Sequence, residues 1–343
     1  MSWEIGIGLA VLAVAGLLLR FGVRIFPTRR VEIVSGQTMG TYYRVSLVPR
    51  GRRGIAETLH GEIRSTLDRV EALMSTYRAD SELSRFNATI STDWVPVSSD
   101  VAKVVALALE VGKHSGGRYD ITIGPLVNLW SFGPERRPSR PPSDQELAQA
   151  RARVGLERLA VRSNPPALRK TQSDLYVDLA SIAKGFGVDQ VAELLDRHEV
   201  RDYCVDIGGE VRARGRNARR NAWQVAVERP VSGECSAARI VPLADRAMAT
   251  SGDYRNYFEE HGVRYSHILD RQTGRPMQHA LGSVTVVDRC CARADAWATA
   301  LFVAGPDEGF ELAVAHELPA LFITRSGETF SEKCTPAMAA LLT

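Results

Sequence analysis

Short β-rich runs joined by tight turns dominate this chain, and they limit what it can fold into. Val31–Val48 alternates and is β-rich, a strand pair or one bent strand broken near Gly36–Gly40. Tyr203–Ile207 ends in Gly208–Gly209 and continues as a hairpin partner, Val211–Arg214. Further strands are expected at Tyr176–Leu179, Trp223–Val227, Ile240–Pro242, Ala247–Thr250, Val284–Val287, Leu321–Thr324 and Glu328–Phe330. Clean strand–helix–strand units are fewer than strands. The fold class expected is therefore α+β, with largely antiparallel sheets packed with helices, and not a doubly wound parallel sheet. No repeat or heptad pattern is present.

Helical periodicity marks Ile55–Met74, with apolar residues at 55, 59, 63, 67, 70 and 74. Ser81 is placed to cap a short second helix. Asp100–Ser115, Asp144–Val154, Ser181–His198 and Pro306–His316 read as further helices, and Gly124–Pro125 as a break within an apolar stretch. Pro134–Pro142 is expected to be a solvated surface loop.

The chain has 343 residues, enough for one large domain or two ordinary ones. Its net charge of +3 gives no ground for nucleic-acid binding. All five Cys lie after residue 200 and form neither a disulfide framework nor a CxxC metal spacing. Ile5–Leu19 is apolar throughout and ends at Arg20, so residues 1–30 are expected to be an uncleaved membrane anchor, with residues 31–343 as the body of the protein. A cleaved signal is the alternative. Arg20, Arg24, Arg29 and Arg30 all follow the run, and the positive-inside rule would put that body in the cytoplasm.

The stretch Ala292–Gly305 reads as a helix carrying Asp295 and Thr299 on one side, since residues four apart stack on a helix face. A carboxylate and a hydroxyl so placed offer two hard oxygens to a cation such as Mg²⁺. A cap with a solvated neighbour is the competing reading.

Eight segments, in order, extend this reading. They are TMGTYYRV (38–45), MSTYRADSELSRFN (74–87), GGRYDITIGPLVNLWSFG (116–133), VDLASIAKGFGVD (177–189), DIGGEVRARG (206–215), ATSGDYRNY (249–257), SHILDRQTGRP (266–276) and ADAWATALFVAG (294–305). Together they span nearly the whole chain after the apolar run, and in this order the chain resembles the FAD:protein FMN transferases of the ApbE type. The resemblance implies an enzyme on the periplasmic face of the inner membrane. Such an enzyme cleaves FAD, its substrate, and attaches FMN through a phosphoester to a Thr of a partner flavoprotein, with Mg²⁺ and release of AMP. Acceptor Thr residues of such targets lie in a Ser/Thr-Gly-Ala-Ser/Thr context, which this chain lacks. A membrane redox subunit is the expected partner.

By the same resemblance Asp295, Thr299 and Ser181 are metal ligands, although Ser181 is equally placed to cap its helix. Asp178 and Lys184 are expected to contact FAD, or else to pair with each other. Met39 and Tyr77 match positions lining the flavin or adenine site, where core packing is the plain alternative for Met39. Tyr119 and Asp120 match an aromatic–Asp step beside the cofactor, with Arg118 where the family usually has a small residue. His267 is the expected proton acceptor, with Asp270 to orient it or reach the metal and Leu269 lining the cofactor site. Arg271 stands where the family usually has Pro. An FAD pyrophosphatase giving FMN and AMP is the alternative enzyme, and a non-catalytic FAD-binding protein the alternative from another class. No GxGxxG opens a strand–helix unit, which argues against a dinucleotide oxidoreductase.

Overall fold

The computed structural model describes residues 29–50, 54–135, 140–231, 236–254, 256–260, 263–327 and 329–342. The expected anchor lies outside these residues except for Arg29 and Arg30. Among the described residues no helix is long and apolar enough to cross a membrane.

One eight-stranded sheet organises the fold. Its strands are β1 (Glu32–Thr38), β2 (Thr41–Leu47), β3 (Tyr203–Ile207), β4 (Glu210–Arg214), β5 (Arg246–Gly252), β6 (Leu281–Asp288), β7 (Ala320–Ser326) and β8 (Thr329–Cys334). Each pairs antiparallel with the next in chain order. The sheet is thus one meander, with helices and small hairpins inserted into its connections. This is the α+β, antiparallel class that the turn-rich sequence implies.

The β1–β2 turn shows how local chemistry fixes the frame. Met39 (φ 49°) and Gly40 (φ 70°) both take left-handed conformations, as the favoured two-residue hairpin turn requires. Such a φ is unusual for Met. Glu71 holds it there: its Oε1 accepts from Met39 N at 2.6 Å and from Thr38 Oγ1 at 2.9 Å.

Four long helices pack on this frame: α1 (Ile55–Met74), α2 (Ser99–His114), α3 (Ala180–Arg197) and α4 (Cys291–Ala304). Along α1 the periodic residues Leu59, Ile63, Leu67, Val70 and Met74 are all buried, each contributing roughly 1.5–3 kcal/mol relative to exposure. Leu59, Ile63 and Leu67 meet Val188, Val191 and Leu195 of α3 and the inner residues of β2 and β3 in one cluster, while Val70 and Met74 join the cluster that includes Leu83, Phe86 and the apolar residues of α4. Ser81 caps the Glu82–Ala88 helix, accepting from Ser84 N at 2.9 Å.

Two expectations change, and one hairpin is added. Gly124–Pro125 does not break a segment but opens the short Gly124–Leu129 helix, with Pro in the first turn where no N–H is needed. Tyr176–Leu179 is extended without a strand neighbour. Its backbone is satisfied by the Asn87 side chain at Val177 and by the Ile121 carbonyl at Asp178. The Leu159–Ser163 and Pro166–Lys170 hairpin, edged by Val95–Pro96, was not legible in the sequence.

Candidate active site

The site is built where α3 crosses α4. Gly185 makes that crossing possible: a Cβ there would lie 2.6 Å from Cys291 O and 2.7 Å from Ala292 Cα. With the two backbones this close, Gly185 N donates to Asp295 Oδ2 at 3.0 Å. Ser181 lies one turn before Gly185 on the same face of α3. Thr299 lies one turn after Asp295, and its Oγ1 is 2.9 Å from Ser251 Oγ on β5.

Asp295 is 3% exposed on a helix that is otherwise apolar on almost every side. Burial, and then the Glu210 carboxylate, push its pKa well above the usual carboxylate range. Lys184 Nζ sits 2.7 Å from Glu210 Oε2. Two buried carboxylates thus share a neighbourhood with one ammonium, a deficit of positive charge. One carboxylate and two hydroxyls lining the same cavity are hard oxygen donors, the donor chemistry that Mg²⁺ prefers. The residues fit such an ion, with solvent or substrate oxygens completing it, since among the described residues no three His, Cys, Asp or Glu side chains converge as a metal cluster.

The helix carrying Asp295 is fixed by a residue the sequence reading passed over. No side chain of α4's own caps its N-terminus; instead Asp189 of α3 accepts from Cys291 N at 3.1 Å and Ala292 N at 3.0 Å. Arg212 Nη1 donates to the same carboxylate at 2.6 Å. Asp189 closes the VDLASIAKGFGVD segment, but nothing local announces a cap for a helix a hundred residues later.

His267 follows the Tyr257–Glu260 and Val263–Ser266 hairpin and is half-buried. Its Nδ1 is 3.0 Å from Asn256 O. A carbonyl only accepts, so Nδ1 must carry the proton and Nε2 keeps its lone pair. Burial lowers the imidazole pKa and the Lys184 charge lowers it further, against the Asn256 carbonyl, which raises it. The ring is therefore neutral near pH 7, with a free basic nitrogen. Asp270 does not orient it: that carboxylate accepts from Gln272 N at 2.8 Å, stabilising the turn instead.

The segment from 116 to 122 forms the next wall. Tyr119 is buried with its hydroxyl 3.0 Å from Ser181 Oγ, so it supports the Ser181 corner and does not offer an open ring face. Burial raises its pKa, keeping the hydroxyl protonated. Asp120 Oδ1 accepts from Thr122 N at 2.8 Å and Thr122 Oγ1 at 2.6 Å, while Oδ2 meets Arg271 Nη1 at 2.8 Å. Arg118 forms a two-pronged pair with Glu308 at 2.8 and 2.6 Å. Asp178 accepts from Ala180 N at 2.8 Å, and its pKa is raised by burial. Lys184 pairs with Glu210, so the proposed Asp178–Lys184 pair does not form. Ser181 is not a cap, because α3 begins one residue earlier, after Leu179.

All these elements enclose one cavity of about 1300 Å³, above the roughly 300–1,000 Å³ usual for small-molecule sites. Met39, Tyr77, Arg118, Tyr119, Asp120, Asp178, Ser181, Lys184, His267, Leu269, Asp295 and Thr299 all line it, whereas Asp270 does not. Tyr77 stands at its mouth, 68% exposed, with its hydroxyl donating to Phe132 O at 2.9 Å. Met39 lies over Gly187 of α3, its Cε 2.9 Å from where a Cβ would sit. The structure also brings in Glu210 and Asn256, which sequence reasoning did not nominate. The DIGGE motif carried the first and the ATSGDYRNY segment the second, although neither residue was singled out within its segment.

Comparison with known proteins places the chain in a family. A 45% identical relative from Vibrio cholerae, an FAD:protein FMN transferase, aligns over 94% of this chain and 95% of its own length. A second FAD:protein FMN transferase, from Haemophilus influenzae, is 44% identical over 91% of this chain and 92% of its own. The solved structure of the flavin transferase ApbE from Vibrio cholerae superposes with a TM-score of 0.85 at 42% identity, covering 91% of this chain and 99% of that one. The sequence model of the ApbE family matches residues 39–322, and the chain belongs to that family.

Proposed function

We propose that the chain transfers FMN from FAD to a Thr hydroxyl of a partner flavoprotein. The observation that carries this is the meeting, in one cavity, of an imidazole whose Nδ1 is turned to the Asn256 carbonyl with the side-chain oxygens of Ser181, Asp295 and Thr299. A phosphoryl transfer needs those two things and little else: a proton acceptor for the hydroxyl and charge neutralisation at the diphosphate.

In this reading the Thr oxygen attacks the FMN-side phosphorus, forming the new P–O bond. The diphosphate bond breaks, AMP leaves with its electron pair, and the hydroxyl proton passes to His267 Nε2. Bound Mg²⁺, held by Asp295, Thr299 and Ser181, would supply charge stabilisation at the diphosphate oxygens. Lys184, parked on Glu210, is within the same cavity to offer a point charge to phosphate. Asp178, Tyr77 and Met39 line the cavity where the nucleotide and flavin ends would lie. The apolar N-terminal run would hold the enzyme at the inner membrane with its catalytic body on the periplasmic side, near a membrane redox subunit as acceptor.

The test is to follow AMP release from FAD with and without an acceptor bearing the Thr-Gly-Ala-Thr context. AMP that appears only with acceptor and divalent cation supports transfer. AMP formed equally without acceptor supports the pyrophosphatase, in which water replaces Thr. FAD binding without AMP supports a flavin-binding protein.

A further inference from the structure

The cavity has an arm that the FAD reading does not use. It runs along the strand Trp223–Glu228, whose residues all line it in succession. Side chains of a strand alternate between faces, so a cavity against a sheet face touches every second residue. β2 behaves that way beyond its turn, contributing Tyr42, Arg44 and Ser46. Six successive residues mean that the cavity meets Trp223–Glu228 along its backbone edge. None of the residues nominated for FAD or metal lies on this strand.

That edge is open. Among the described residues Trp223–Glu228 pairs on one side only, with Ala237–Leu243, and no residue of Ala237–Leu243 lines the cavity. The cavity therefore lies on the side away from the partner strand, where alternate N–H and C=O groups of an edge strand point outward. The edge is held in place: Trp223 Nε1 donates to Arg214 O at 3.1 Å, and Val227 is buried in the cluster with Val241 and Met248. Across the same cavity stand His267 and Asp295.

We propose that Trp223–Glu228 receives the acceptor protein's hydroxyl-bearing segment as an added β-strand. The proposal rests on the transferase reading. An outward row of backbone donors and acceptors is complementary to one thing, another extended backbone, and strand addition is an established way for sheets to hold peptides. The edge is continuous with the wall carrying the reacting groups, so a segment docked there enters the cavity in which its hydroxyl must meet His267.

The test uses the enzyme, FAD, Mg²⁺ and a synthetic acceptor peptide containing Thr-Gly-Ala-Thr, with single backbone N-methyl groups walked along its flanks. Each methyl removes one N–H donor. The expected result is a period-of-two pattern: about tenfold loss of acceptor kcat/KM at alternate positions, little at those between, and an unchanged KM for FAD. A flat profile would overturn the proposal. Failure of the unmodified peptide to accept FMN would instead remove the transferase reading, and this inference with it. Amide exchange on the His267→Ala enzyme locates the edge: slowed exchange within residues 223–228 on adding peptide is expected. Protection confined to other segments contradicts the assignment.

Discussion

Arg271 Nη1 lies 2.8 Å from Asp120 Oδ2, and this ion pair fastens the turn after His267 to the wall that carries Tyr119. The Asp120 side chain is 1% exposed, so its charge depends on that partner and on the Thr122 donors. Arg271 also lies against Gly117, where a Cβ would approach its Cζ to 3.3 Å. The guanidinium is thus a charged strut between the two segments.

Replacing the strut is expected to loosen the loop. Arg271→Met should cost about 1–3 kcal/mol in denaturant unfolding, the range for a charged hydrogen bond left unpaired. It should also lower kcat more than it changes FAD binding, because His267 is four residues away. Arg271→Lys should recover part of the stability but less of kcat, since an ammonium cannot reproduce the guanidinium fork.

His267 sets the acid limb of the pH profile. Its pKa is lowered from 6.5, chiefly by burial. As a base it works deprotonated, so activity should be flat near neutrality and fall only as the pH drops through that lowered value. The sign for stability is the same. The unfolded chain takes up this proton more readily, so stability is full above the unfolded value of 6.5 and declines as the pH falls below it. His267→Ala should lower kcat by roughly 10²–10⁴ and remove the acid limb, with FAD affinity retained by isothermal titration.

Asp295 trades stability for function. A buried carboxylate beside Glu210 is costly without a cation, and Asn keeps the shape without the charge. In EDTA, Asp295→Asn should therefore unfold at higher temperature than the parent protein, by about 1–2 kcal/mol in stability. Added Mg²⁺ should stabilise the parent and not the variant, and the variant should be inactive.

Gly185→Ala tests the helix crossing. Its Cβ would fall 2.6 Å from Cys291 O, a backbone atom that cannot step aside. Separating α3 from α4 should cost about 1–3 kcal/mol and move Asp295 away from Ser181. Loss of activity should exceed the loss of folded protein, as read by activity per folded molecule at low temperature.

Much of this site can be read in the sequence because its members sit in compact local patterns. Asp295 and Thr299 are four apart on a helix, and His267 lies in a short motif between two strands. Partners contributed by distant segments are a different matter. Asp189 caps a helix that starts at Cys291, and Glu210 reaches Lys184 from the next hairpin; neither relation has a local signature. Ser181 was open to a capping role because Ser is a common cap, but Asp178 already serves Ala180 N and the helix starts without it. Asp270 follows the same logic: three residues from His267 is close in sequence, yet the turn directs its carboxylate to Gln272. Periodicity fixed α1 to the residue, whereas Tyr176–Leu179 looked like a strand because its composition is extended and its lone neighbours are a side chain and a loop.

The most direct test of the account is one reaction followed by two readouts. The enzyme is mixed with FAD, Mg²⁺ and an acceptor domain bearing the Thr-Gly-Ala-Thr context; intact mass reports the acceptor while chromatography counts AMP. The account predicts one FMN on the acceptor Thr for each AMP released, and neither product with Asp295→Ala or His267→Ala. AMP in excess with the acceptor unmodified would contradict it.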